Sequence, residues 1–99
     1  MEELENKYRM YISAYLGIEL LDEYPLKPYI LEELKEYIME FAKSNDLTFD
    51  FKEEYAIIAK HNTRLVYLQD ALYTMNELNA PIDLIHLIEN RIKSIKENI

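Results

Sequence analysis

The most regular feature of this sequence is a row of isoleucines in its last fifth. Ile82, Ile85, Ile88, Ile92, Ile95 and Ile99 follow one another at steps of 3, 3, 4, 3 and 4 residues. Because an α-helix has about 3.6 residues per turn, this spacing places all six side chains on one face of a helix. An apolar face of this kind has to be buried, either by other helices of the chain or by a second copy. We therefore expect the fold to be organised around a C-terminal helix over about 81–98.

Apolar residues recur at helical spacing along the rest of the chain as well. They predict helices over about 2–17, 28–44 and 51–78, and the third stretch is either one long helix or two helices broken near 61–63, with Asn62 or Thr63 as the cap. Residues 47–51 alternate like a short strand, but no partner strand is evident, so we interpret them as an extended connection. The predicted fold is all-α, a single domain built as an antiparallel bundle of four to five helices. In this bundle the C-terminal helix lies against the 51–78 segment, and the second helix covers both.

Several residues predict where these helices begin and end. Gly17, the only glycine of the chain, is placed to stop the first helix, although the helix can also run on to Leu21. Pro28 suits the first turn of the second helix, and Asp50 is a candidate N-cap for the third. Asn79 is the expected cap of the C-terminal helix, with the following proline in its first turn.

The acidic charge of the chain is confined to its first half. Residues 1–54 contain 14 Asp and Glu against 6 Lys and Arg, whereas residues 55–99 contain 5 of each. Nucleic acids and anionic membranes attract basic residues, so this half is expected to repel both. The charge favours a protein partner that is itself basic, such as a nucleic-acid-binding protein. No cysteine, no signal-like start and no long apolar run is present, and we expect a soluble, cytoplasmic protein.

Three sets of residues are candidates for contact with other molecules. Glu32, Glu36 and Glu40 form an acidic edge on the second helix, opposite its apolar face. Tyr8, Tyr11 and Tyr15 share one face of the first helix, and tyrosine is common both at the edge of cores and at protein interfaces. Ile92, Ile95 and Ile99 form a narrow apolar row that either completes the core or meets a second subunit of a homodimer.

The two histidines are the only starting points for a metal or catalytic site. His61 falls within the apolar row of the 51–78 segment, and His86 lies between Asp83 and Glu89 at three-residue steps. Asp-x-x-His resembles half of the ligand set of helical di-iron bundles, but no second copy of the motif occurs. We therefore predict no cofactor, no metal and no catalytic residue, and we keep a metal-binding or enzymatic bundle using His61 or His86 as an alternative.

Composition and spacing together favour a non-enzymatic role. We expect a small acidic protein-binding module of the inhibitor, antitoxin, immunity or adaptor type, acting through a helical surface, and we expect it to be a homodimer. A small structural or assembly subunit, for example of a phage particle, is the main alternative. The abundance of Ile, Lys, Asn and Glu suggests AT-rich coding, as in a low-GC bacterium or its mobile elements.

Overall fold

A computed structural model describes residues 2–98 of the chain, which fold into a bundle of five α-helices. The helices are α1 (Glu2–Glu19), α2 (Lys27–Ser44), α3 (Phe51–His61), α4 (Arg64–Glu77) and α5 (Ile82–Glu97). Residues 2–98 contain no strand, and residues 47–50 connect α2 to α3 without regular structure. The all-α prediction is thus confirmed. Within the same residues, no helix combines the length and apolar character needed to cross a bilayer.

The helix at the centre of the bundle is α1. It packs against α2, α3 and α4, whereas α5 packs on α4. Four α1 side chains, those of Tyr11, Ile12, Ala14 and Ile18, are 0% exposed because neighbouring helices cover them. The predicted pairing of α5 with the segment before it is correct. The predicted centre is wrong, and so is the predicted position of α2, which packs mainly on α1 instead of covering the last two helices.

Gly17 lies inside α1, which continues to Glu19, and this corrects its prediction as a helix stop. Its role is to let two helices approach each other. A Cβ atom at position 17 would lie 2.3 Å from the carbonyl oxygen of Tyr67 and 3.0 Å from the Cβ of Ala71, both on α4. Because real Cβ atoms do not approach a backbone oxygen this closely, only glycine fits at this crossing.

Tyr67 also fixes the end of α3 against α4. Its hydroxyl donates hydrogen bonds to the carbonyl oxygens of Ile58 and Ala59, at 3.0 and 2.8 Å. Both carbonyls lie in the last turn of α3. The Ile58 oxygen also accepts from the backbone N–H of Asn62, at 3.0 Å. The 51–78 segment is therefore two helices, and Thr63 caps the second one by accepting a bond from the backbone N–H of Val66.

Two helices end without glycine, through residues in the left-handed conformation. Asp46 and Asn79 have φ values of 56° and 55°. After each of them, the next backbone N–H bonds back to a carbonyl five residues earlier, as in Ala80 N–H to the Met75 oxygen at 2.9 Å. This is the Schellman arrangement, in which Asn and Asp replace glycine at modest cost. Asn79 thus ends α4 and does not cap α5, whereas the prediction of Asp50 as the cap of α3 is confirmed.

The isoleucine row of α5 is only partly buried. Ile85, Ile88 and Ile92 are buried against the rest of the chain, and Ile95 is partly buried against the same core. Ile82 is 65% exposed, because it begins α5 just beyond the last turn of α4 and nothing covers it there. Ile99 lies outside the described residues. The buried part of the predicted isoleucine row therefore begins at Ile85, one turn later than expected.

Changing Gly17 to Ala tests the close contact between α1 and α4. In an unobstructed helix this substitution stabilises a protein by about 1 kcal/mol. Here we expect the opposite, a loss of about 1–3 kcal/mol in the free energy of unfolding, because the new methyl group forces the two helices apart. Urea denaturation followed by circular dichroism measures the effect, with Asn6→Ala at an exposed position of α1 as control. A Gly17→Ala variant as stable as the original would contradict the packing described here.

Changing Ile95 to Asp tests whether the end of the isoleucine row belongs to the core of one chain. Since Ile95 packs against the core, we expect a loss of about 1–3 kcal/mol in stability without a change in molecular mass. Ser94→Asp introduces the same charge at the exposed neighbouring position and should change stability by less than about 0.5 kcal/mol. Thermal melting together with light scattering decides the matter. A stable Ile95→Asp monomer replacing an original dimer would place Ile95 at a subunit interface instead.

Candidate functional site

The outward face of α2 carries a concentration of carboxylates. Leu34, Ile38 and Ala42 bury the opposite side of the helix against the core. This leaves Glu32, Glu33, Glu36 and Glu40 exposed to solvent. Glu32, Glu36 and Glu40 follow one another at four-residue steps, so their charges lie one turn apart and repel. The structure thus places the predicted acidic edge at the surface and adds Glu33 to it.

Most other carboxylates near the core are used within the chain. Ion pairs join Lys7 to Glu77 at 3.4 Å, Arg9 to Glu54 at 3.4 Å, and Arg91 to Glu23. The pKa of Glu23 is lowered, first by a backbone hydrogen bond and then by the Arg91 guanidinium. In contrast, Glu32, Glu33 and Glu36 have no ion pair or hydrogen bond with any residue of 2–98, and Glu40 only accepts one from the hydroxyl of Ser44. The acids of α2 are therefore exposed, close together and without an ion pair to any residue of 2–98.

An apolar groove of about 320 Å³ runs beside this acidic face. It lies between α2 and the turn that joins α4 to α5, and it is lined by Ile30, Glu33, Leu34, Tyr37, Met75, Leu78, Asn79, Ala80 and Pro81. Three elements contribute to it, namely α2, the end of α4 and the turn that follows α4. Glu33 is the only charged residue among those that line the groove. The site is thus an apolar surface with one carboxylate at its wall.

A second depression, of about 230 Å³, continues along the same side of α2. It shares Tyr37 with the groove and extends to Asn45, with Glu40 among its lining residues. The Tyr37 ring is held in place by an edge contact with the ring of Tyr11, with centroids 5.4 Å apart. The two depressions thus lie along the same helix on either side of Tyr37, and each contains a carboxylate. We call the pair the α2 groove.

Sequence analysis did not identify the α2 groove. The exposed aromatic ring of Tyr29, at 67% exposure, follows Pro28 and precedes Ile30 in the groove wall. Tyr29 does not share the helix face of the buried residues of α2. This position was the sequence feature that indicated apolar residues outside the core face of the helix. Ile82, beside Pro81 at the other wall, is the second exposed apolar side chain of this region.

Two of the three predicted tyrosine contacts are inside the protein. Tyr8 and Tyr11 are 1% and 0% exposed, so neither ring can reach a partner, and this corrects the expectation for them. The Tyr11 hydroxyl donates to a Glu77 carboxylate oxygen at 2.7 Å, and burial is the main reason that the pKa of Tyr11 is raised. Tyr15 is partly exposed and packs edge-on against the rings of Phe51 and Tyr55.

Neither histidine lies in a pocket or an apolar row. His61 is exposed at the end of α3, which corrects its predicted place within the apolar row, and His86 is exposed on the outer side of α5. Across residues 2–98, no three His, Cys, Asp or Glu side chains come together in a way that could hold a metal ion.

A polar network lies between α1, α4 and the turn that joins α3 to α4. The side-chain amide of Asn62 donates to the hydroxyl oxygen of Ser13 at 3.2 Å, and Ser13, 1% exposed, hydrogen-bonds to the carboxylate of Asp70. Burial raises the pKa of Asp70, and the bond from Ser13 offsets only part of that rise. With no nucleophile partner such as histidine at the site, we interpret the network as a structural link between the helices.

The class that the fold defines is an all-α helical bundle with an acidic, grooved face. Comparison of the chain with protein-family models, with curated proteins and with solved structures gives no significant match. Any functional argument therefore rests on the surface described above.

Asp70→Asn tests the physical role of the polar network. The folded state raises the pKa of Asp70, so it holds this proton more tightly than the unfolded chain does. The corresponding stability is present at low pH and is lost as the pH rises through the raised pKa. We therefore expect Asp70→Asn to melt at a higher temperature than the original at pH 7, with the difference disappearing near about pH 3. Thermal melts across this range, with the exposed Glu89→Gln as control, measure the effect, and equal melting temperatures at every pH would contradict it.

Proposed function

We propose that this chain is a small acidic, non-enzymatic module that binds a basic protein through the outward face of α2. The observation that carries the proposal is that Glu32, Glu33 and Glu36 are exposed and unpaired within residues 2–98. Elsewhere in the fold, carboxylates such as Glu54 and Glu77 have partners from the same chain. A surface that holds repelling charges without internal compensation is suited to compensation by another molecule.

The charge distribution gives such a surface a kinetic role. Residues 1–54, which include α2, carry a net charge of −8, while residues 55–99 are neutral. An acidic face on one part of a small protein steers a basic partner during diffusion and speeds association at low salt. The same field opposes approach to nucleic acid phosphates and to other copies of the chain. Inhibitors, antitoxins, immunity proteins and adaptors that mask a basic surface would use it in this way.

The sequence also led us to expect that the chain forms a homodimer. Ile92, one of the three residues assigned to a homodimer interface, is 8% exposed within a single chain. Its burial argues against a contact between Ile92 and a second subunit. A monomeric module, a homodimeric module and a polymerising assembly subunit of the phage-particle kind differ in their mass in solution. Light scattering of the purified chain over a range of concentrations distinguishes these. A single mass equal to one chain supports the module, and a ring or a concentration-dependent polymer supports assembly.

Changing Glu32, Glu36 and Glu40 together to Gln tests the acidic face. We expect thermal stability to stay the same or to rise slightly, because repulsions of a few tenths of a kcal/mol per pair are removed. Affinity capture from the native cell, followed by mass spectrometry, should recover a basic protein with the original chain and much less of it with the variant. With that protein in hand, stopped-flow mixing should show a slower association rate that depends less on salt.

A charge-matched control separates local from global effects. Glu53→Gln, Glu89→Gln and Glu97→Gln remove the same number of charges at exposed positions of α3 and α5. This control should capture the basic protein nearly as well as the original chain does. If the two triple variants capture the same proteins with the same salt dependence, the acidic face of α2 has no binding role.

A further inference from the structure

We propose that the α2 groove binds a basic amphipathic helix of the partner protein, with apolar side chains inserted into the groove and Lys or Arg residues against the acidic face. This inference rests on the proposed function and adds to it the chemistry of the bound segment. It joins two observations that are independent of each other. One is the apolar lining of the groove, and the other is the set of unpaired carboxylates beside it.

The lining of the groove specifies apolar anchors. Ile30, Leu34, Met75 and Leu78 provide aliphatic and thioether surface, and Tyr37 provides an aromatic wall that joins the two depressions. Met side chains adapt to the shape of an inserted group, and such grooves commonly bind Leu-, Ile- or Phe-type anchors. The exposed side chains of Tyr29 and Ile82, 67% and 65% exposed, stand at positions adjacent to the lining and extend the apolar area.

The secondary structure around the groove specifies a helical partner. The walls are α2, the end of α4 and the turn that follows it. Along α2 the backbone groups are bonded within the helix, so an extended peptide would find no row of backbone partners there. A helix satisfies its own backbone and needs only side-chain contacts. From Ile30 to Asn45 the feature follows α2 for about 22 Å, which matches roughly four turns of a bound helix.

The charges specify a basic partner and argue against a second copy of this chain. Glu33 lies in the wall of the first depression and Glu40 in that of the second, so a bound helix meets a carboxylate in each depression. The basic amphipathic segment of this chain is the end of α5, but two of its three cations already have partners. Arg91 is paired with Glu23, and Lys93 lies 4.0 Å from Glu97.

The experiment uses the full chain and three synthetic helical peptides of roughly four turns. One peptide has Leu on one face and Lys on the other, the second replaces Lys by Glu, and the third replaces Leu by Ala. We expect measurable binding only for the Lys and Leu peptide by fluorescence anisotropy. In nuclear magnetic resonance spectra, the backbone amide signals of Ile30, Met75 and Ala80 should shift when it binds.

Two matched pairs of variants locate the binding site. Glu33→Gln removes a carboxylate in the groove wall, and Glu32→Gln removes its exposed neighbour, which does not line the groove. We expect Glu33→Gln to weaken binding about fivefold to tenfold, mainly through faster dissociation. Glu32→Gln should only slow association slightly.

Ala80→Leu fills the first depression and should weaken binding about tenfold, whereas Ala56→Leu on the exposed face of α3 should not weaken it. Melting curves establish that each variant is folded. If Ala80→Leu does not fold, the comparison of Glu33→Gln with Glu32→Gln locates the binding site by itself.

The outcomes separate this inference from the proposed function. One outcome is peptide binding that weakens with salt and in the α2 triple Gln variant, and that Glu33→Gln and Glu32→Gln weaken to the same extent. This outcome would overturn the role of the groove and leave the acidic face as the binding surface. Binding of the Lys and Ala peptide as strong as that of the Lys and Leu peptide would do the same. No binding of any basic peptide would overturn the groove, while the capture experiment decides the proposed function on its own. Binding of the Glu and Leu peptide, or association of the chain with itself through the groove, would contradict both.

Discussion

Helix α1 approaches α4 so closely at Gly17 that no side chain fits between them, and the rest of the bundle depends on that contact. The carbonyl of Tyr67 occupies the space where a Cβ would lie. The hydroxyl of the same residue bonds to the end of α3, so a single residue of α4 positions both neighbouring helices. With two sides of α1 occupied in this way, α2 packs on the remaining side and α5 is left to pack on α4.

Local patterns in the sequence were sufficient to predict the helices but not their arrangement. Apolar spacing and the capping side chains of Asp50 and Thr63 act within a few residues, so the sequence displays them directly. The role of Gly17 depends on which helix passes it, and no local rule contains that information. Tyr8 and Tyr11 were equally compatible with a core and with an interface, because a tyrosine ring suits both until the positions of the neighbouring helices are known.

In the candidate site, too, local patterns could be predicted from the sequence and the arrangement of the helices could not. Glu32, Glu36 and Glu40 repeat at four-residue steps, so their common exposed edge follows from the helix alone. The α2 groove is lined by residues of α2, of the end of α4 and of the turn that follows α4. A surface made by three separate elements leaves no periodic trace in any one of them, and this is why Glu33 was not singled out beforehand.

The position of α1 at the centre of the bundle has a consequence for how the chain is made. During synthesis α1 leaves the ribosome first, yet its closest packing partner, α4, begins at Arg64. Until then α1 can bury only the sides that face α2 and α3, and the surface around Gly17 remains open to water or to chaperones. The emerging chain is therefore expected to stay protease-sensitive until α4 has cleared the exit tunnel, and then to fold in a single late step.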